Sequence, residues 1–226
     1  MFIKTALLVL KKDFAVEARS WEILSTTMLF AVSCVMVFSI AFVQEGVAVA
    51  GSASGILWVA VSFSGTLALG RTFERERYGD TLRALLVAPT PRPAIYVGKL
   101  LGMMALMLAS EVLLVPLIAV LFQEAALFSH PLLLTVLLVL GSLGFASVGT
   151  VFAAMLVRAR TRDVLLPVLL YPVTIPVMIA GVLGTSALLQ DPANEPVATM
   201  WIGVLASIDT VFLTLALWTF EPLMTE

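Results

Sequence analysis

Long uncharged apolar runs alternate along this chain with short polar breaks. Residues 23–43 hold no charged side chain, and after a turn at Gln44, Glu45 and Gly46 a second uncharged run covers 47–70. Further runs occupy 100–123, 132–157, 164–188 and 199–220, and the only charges inside them are Glu111 and Asp209. A helix crosses the roughly 30 Å hydrocarbon layer with about 20 apolar residues, so each run predicts one crossing. The pattern predicts an all-α polytopic membrane protein with six transmembrane helices in a single membrane domain, 1–226.

The polar breaks fall into two unlike sets. Residues 44–46, 124–131 and 189–198 contain Glu45, Glu124, Asp191 and Glu195 but no Lys or Arg. All 13 Lys and Arg residues lie in 1–22, 71–99, 158–163 and 221–226, or at the edges of those segments. A span count wrong by one would scatter them over both sides. By the excess of basic residues in cytoplasmic loops, both termini are expected in the cytoplasm. Composition agrees: hydrophobic residues make up 61% of the chain and charged residues 12%. A soluble domain carries about 25% charged residues. The single cysteine, Cys34, excludes an intrachain disulfide and a thiolate metal cluster. Trp21 and Trp218 fall near the inner interface and Trp201 near the outer one, whereas Trp58 falls mid-span and reads as a helix-packing residue.

The segment 1–20 precedes the first span. Its apolar positions Phe2, Ile3, Ala6, Leu7, Leu10 and Phe14 recur at helical spacing, with Lys4, Lys11 and Asp13 off the stripe. This predicts an amphipathic helix lying in the membrane interface. It does not read as a cleaved signal, because the apolar run is short and Lys11, Lys12, Asp13, Glu17 and Arg19 follow it.

The longest polar stretch, 71–99, has internal order. Phe73, Arg77, Tyr78, Leu82, Leu85 and Leu86 fit a short helix with one apolar face, with Glu74, Arg75 and Glu76 among its charges. Pro89, Pro91 and Pro93 are expected to stop that helix and stiffen the return to the membrane. A short apolar face set in dense charge suits insertion into a groove of a cytoplasmic partner, or else a helix that merely lies at the interface. The chain has no GxxxxGK[ST] phosphate loop, so nucleotide-driven work would fall to another subunit.

In this stretch Phe73-Glu74-Arg75-Glu76, Gly79, Leu82, Leu85-Leu86, Pro89, Arg92, Ile95-Tyr96 and Gly98-Lys99 resemble the CcmB family, the haem exporter protein B permeases of cytochrome c maturation. The length, span count and amphipathic start resemble that family over essentially the whole chain. The resemblance implies an exporter-type, ABC-2-like ABC membrane domain with a coupling helix in the cytoplasmic loop 71–99. It implies a bacterial inner-membrane location and a CcmA-like ATP-binding subunit contacted through Phe73, Glu74, Arg75, Glu76, Tyr78, Leu82, Leu85 and Leu86. CcmC- and CcmD-like membrane proteins and the haem chaperone CcmE are the further implied partners, besides membrane lipids. A second copy of the chain, as a homodimer within the complex, is compatible with it. ATP would be bound by the partner and haem handled by the complex, driving release of the haem-loaded chaperone or haem export. No cofactor, catalytic site or nucleic-acid partner is expected for this subunit itself.

Within the spans, a carboxylate at Glu111 or Asp209 is costly unless it is paired, neutral or wet, and no Lys or Arg lies in another span to neutralise it. The two acids are candidates for a shared site. Pro167, Pro172 and Pro176 interrupt the fifth run, giving either a bent packing helix or a moving one. Gly51/Gly55 and Gly98/Gly102 have the spacing that lets helices approach closely. His130, the only histidine, could ligate haem iron, but beside Pro131 it reads more simply as an interfacial polar residue. Two other functions fit the architecture: an ABC-2-type permease for a lipid, drug or polysaccharide, and an ion-coupled secondary transporter. The second is disfavoured by the scarcity of intramembrane ionisable groups and the lack of an evident inverted repeat.

Overall fold

Each apolar run folds as a helix because lipid offers no hydrogen-bond partners and a helix satisfies its own backbone. The computed structural model describes residues 2–44, 47–49, 51–72, 91–159 and 161–223. Among them are α1 (Phe2–Ser20), α2 (Glu22–Phe42), α3 (Ser52–Thr72), α4 (Arg92–Leu121), α5 (Pro131–Met155), α6 (Arg162–Leu188) and α7 (Glu195–Leu223). Six of the described helices, α2 to α7, are long and apolar enough to cross a membrane. Short 3-10 turns at Ala125–Phe128 and Leu156–Arg158 precede and follow α5.

Side-chain contacts fix the alternation of direction. At one end, the start of α2 meets the end of α3 through Glu22 and Arg71, and the start of α6 meets the end of α3 through Arg162. Lys99, near the start of α4, meets α1 at Asp13. At the other end, His130 before α5 meets Glu195 at the start of α7. We call these the basic and the acidic end.

Two helix bounds depart from the hydrophobicity pattern. The second span starts at Ser52 rather than 47, because Val43–Gln44 and Val47–Ala48 pair as a two-residue antiparallel hairpin with Val43 opposite Ala48. Gly51 turns the chain out of the hairpin at φ +75°, a conformation costly for any residue with a Cβ. The third span starts at Arg92 rather than 100. Pro93 therefore does not belong to a loop. It lies in the first turn of α4, where its missing N–H leaves no bond unmade. At 30 residues α4 is longer than a bilayer requires. Its surplus first turns are sheltered by α1: a Cβ on Gly98 would come within 2.8 Å of both Ala6 O and Val9 Cβ. At Gly102 a Cβ would lie 3.7 Å from Leu10 Cδ1, whereas a Cβ on Gly51 or Gly55 would meet nothing within 4 Å.

The core lies around α3 and α5. Trp58 of α3, 2% exposed, wedges between α5 and α6 where Gly141 and Gly181 leave room for its ring. Its Nε1 donates to Thr185 Oγ1 at 3.0 Å, which satisfies the indole away from water. A mid-membrane tryptophan is thus a packing element, as its position suggests. The three prolines of the fifth run sit inside one continuous helix, α6. α2 and α7 are peripheral and turn Leu29, Val37, Ile40, Val211 and Trp218 outward, as expected of helices that meet lipid.

Candidate functional site

Phe73, Glu74, Arg75, Glu76, Tyr78, Leu82, Leu85 and Leu86 lie outside the described residues, but both roots of their loop are described. On the descending side, Arg71 in the last turn of α3 pairs with Glu22 Oε1 at 3.2 Å. Both partners are well exposed, so this contact is weak. Arg162 reaches the same turn from α6. It is 3% exposed, and its Nη2 donates to Leu69 O at 3.0 Å and to Gly70 O.

The ascending root is held by α1. Lys99 Nζ lies 2.8 Å from Asp13 Oδ2, with the lysine side chain 2% exposed and the aspartate 23%. Asp13 is thus on the packed face of α1 with Ala6 and Val9, not on the solvent side as the apolar stripe suggests. The stripe itself divides. Ala6, together with Val9 from outside the stripe, faces α4, while Ile3, Leu7 and Phe14 remain exposed. Below the packed face, Glu17 Oε1 accepts the amide of Leu24 at 2.8 Å, so a carboxylate from α1 caps the start of α2. Trp21 makes the bend between the two helices at φ 52°, a left-handed conformation unusual for a bulky residue. The bend is secured by Trp21 N donating to Glu17 O at 2.7 Å.

Next to the ascending root, Tyr96 is buried and its hydroxyl donates to Ser147 O at 3.1 Å, while its ring lies 5.2 Å from that of Phe220. One side chain of the 95–99 match thus ties α4 to α5 and α7.

The intramembrane acids occupy two faces of α5. Glu111 of α4 accepts the hydroxyl of Ser142. Asp209 of α7, 3% exposed, lies against the backbone of Gly144, in space that a side chain there would fill. Residues 142 and 144 point to opposite sides of a helix with about 3.6 residues per turn. The two carboxylates therefore flank α5 rather than face each other. Oε2 of Glu111 and both oxygens of Asp209 have no hydrogen-bond partner among the described residues.

At the acidic end, His130 Nδ1 lies 3.2 Å from Glu195 Oε1. Among the described residues no three His, Cys, Asp or Glu gather as a metal site. The sequence did not single out Arg162 as a contact, or Glu17 as a cap. The signal for Arg162 is its position at the edge of an uncharged run, with only Asp163 between, where a topological arginine and a packed one look alike.

The profile of the family described as CcmB protein matches residues 4–222. Three proteins named heme exporter protein B are similar to the chain. That of Rhodobacter capsulatus is 34% identical over 137 residues, covering 61% of this chain and 62% of the relative. That of Haemophilus influenzae is 26% identical over 171 residues, 76% of each. The Pseudomonas aeruginosa protein is 27% identical over 211 residues, covering 93% of this chain and 91% of the relative. The matched region thus spans just under two thirds of the Rhodobacter relative and most of the other two. With a profile match running from α1 to the last turn of α7, this chain belongs to the CcmB protein family.

Proposed function

We propose that this chain is the membrane permease subunit of an ATP-driven complex for haem handling in cytochrome c maturation. The observation that carries the reading is the family match over 4–222, which takes in α1, all six membrane-length helices and the polar connection 71–91. The relatives' name, heme exporter protein B, supports haem as the substrate class. In this reading ATP is hydrolysed by a CcmA-like partner, since the chain has no phosphate loop, and the work done on the membrane domain releases a haem-loaded CcmE-like chaperone or exports haem. CcmC- and CcmD-like proteins complete the complex.

Phe73, Glu74, Arg75, Glu76, Tyr78, Leu82, Leu85 and Leu86 form the contact with the ATPase in this proposal. The basic end then faces the cytoplasm of a bacterial inner membrane, with both termini on that side. In this reading Glu111 holds a hydrogen-bonding role with Ser142, Asp209 a conformational role against Gly144, and neither is a catalytic group.

The test is purification of the native complex in mild detergent, with identification of the co-purifying subunits and assay of ATP hydrolysis. Recovery of an ATP-binding subunit with haem-handling proteins is the expected outcome. Recovery with an ATP-binding subunit alone and transport of a lipid or polysaccharide would favour the general exporter. A lone subunit driven by an ion gradient would defeat the proposal. Glu74→Lys or Glu76→Lys should weaken recovery of the ATPase while membrane insertion stays normal; unchanged recovery would refute the assigned contact.

A further inference from the structure

Arg162 is buried for a reason that topology does not supply. The connection before α6 already holds Arg158 and Arg160, which meet the need for positive charge on that side. Nor does Arg162 help its own helix. It is the first residue of α6, where the positive end of the helix dipole disfavours a cation and the neighbouring Asp163 is the suitable residue. Its guanidinium is directed instead at Leu69 O and Gly70 O, near the C-terminus of α3. The last four carbonyls of a helix lack intrahelical partners, and the negative end of the dipole attracts a cation. The contact therefore favours α3 at the expense of α6, and it mechanically joins the two.

α6 is the helix best suited to yield to such a pull. Pro167, Pro172 and Pro176 lie within it, and each removes a backbone donor and weakens the turn before it. The first of them comes little more than one turn after Arg162. Displacement of the α3 end would carry the first turn of α6 with it and bend the helix at Pro167. The exposed Arg71–Glu22 pair on the same turn of α3 could not transmit comparable force to α2.

We propose that Arg162 is a positioning residue that carries movement of the last turn of α3 into α6, coupling the ATPase contact to the membrane bundle. This rests on the permease reading above. The experiment uses the native complex carrying wild-type chain, Arg162→Gln or Arg162→Lys, with two readouts. The first is the ratio of ATP hydrolysed to haem-loaded chaperone released. Arg162→Gln should retain the ATP-binding subunit and its hydrolysis yet raise that ratio about tenfold, the size of an ordinary coupling between two sites. Arg162→Lys keeps the charge without the planar fork and should give a smaller rise. The second readout is amide hydrogen exchange over residues 66–72 of the chain in detergent, which should quicken in Arg162→Gln whether or not partners are bound. An unchanged ratio in a complex that contains the ATPase overturns the coupling role. Unchanged exchange overturns the clamp itself. A wild-type complex without an ATP-binding subunit overturns the permease reading, and the coupling role with it.

Discussion

At the scale of single residues, this protein buries part of its polar chemistry between helices. Lys99 is enclosed between α1 and α4 and meets Asp13 at 2.8 Å. Removing one member of a fully buried pair costs about 3–5 kcal/mol, because the other is left charged and alone. Asp13 retains some exposure and a second cation, Lys12 Nζ at 3.2 Å from Oδ1, so Lys99→Met should cost less than that, read as a lowered thermal midpoint in detergent. The Asp13→Asn, Lys99→Met double variant should recover much of the loss; a double variant as unstable as the sum of the singles would show that the pair is not coupled. Glu111 offers a second test. Glu111→Gln keeps an acceptor for Ser142 and should leave the midpoint nearly unchanged. Glu111→Ala strands a buried hydroxyl and opens space, at about 1–3 kcal/mol for the lost bond alone. Equal loss in both variants would mean that the charge, not the hydrogen bond, is what the bundle requires. Trp58 supplies a steric counterpart: Gly181→Ala puts a methyl into its ring and should cost about 1–3 kcal/mol, relieved in part by Trp58→Phe.

At the scale of elements, the helices end and turn by devices that hydropathy does not encode. Glu17 caps α2 from the preceding helix, across a bend at Trp21. Glu17→Ala should cost about 0.5–2 kcal/mol and raise amide exchange at Leu24, because that amide loses its side-chain acceptor. Unchanged exchange there would remove the cap from the account. The six crossings were legible because a run of apolar residues has one stable form in lipid. The start of the second span was not, since Val47 and Ala48 are apolar enough for a helix and were claimed by strand pairing. The start of the third was hidden by Lys99, whose charge reads as loop until α1 is seen to cover it. Asp13 was hidden in the complementary way, as an acid on a helix whose buried face is built from Ala6 and Val9 instead of its larger apolar residues. Glu111 and Asp209 were legible as buried acids, because charge inside an apolar run stands out. Their separation by α5 was not, since sequence spacing says nothing of which faces meet.

At the scale of the whole molecule, the bundle has an acidic end tied by His130 and Glu195 and a basic end where five helices meet through charged contacts. Single cysteines introduced into a Cys34→Ser background should test its orientation. Positions 128 and 191 are expected to react with an impermeant thiol reagent from outside intact cells, and positions 11 and 159 only after permeabilisation. The reverse pattern would turn the protein over and remove the proposed ATPase contact from the cytoplasm.

The seat of α1 also orders the birth of the protein. Asp13 leaves the ribosome long before Lys99, and at about 5–20 residues per second the interval lasts several seconds. Throughout it α2 and α3 can enter the bilayer while α1 has no α4 to lie on. The face of α1 that carries Ala6, Val9 and Asp13 then waits at the membrane surface, and its docking can come only after the third crossing begins. Chains released early, before residue 92, should leave α1 open to added protease, whereas chains that include α4 should shield it.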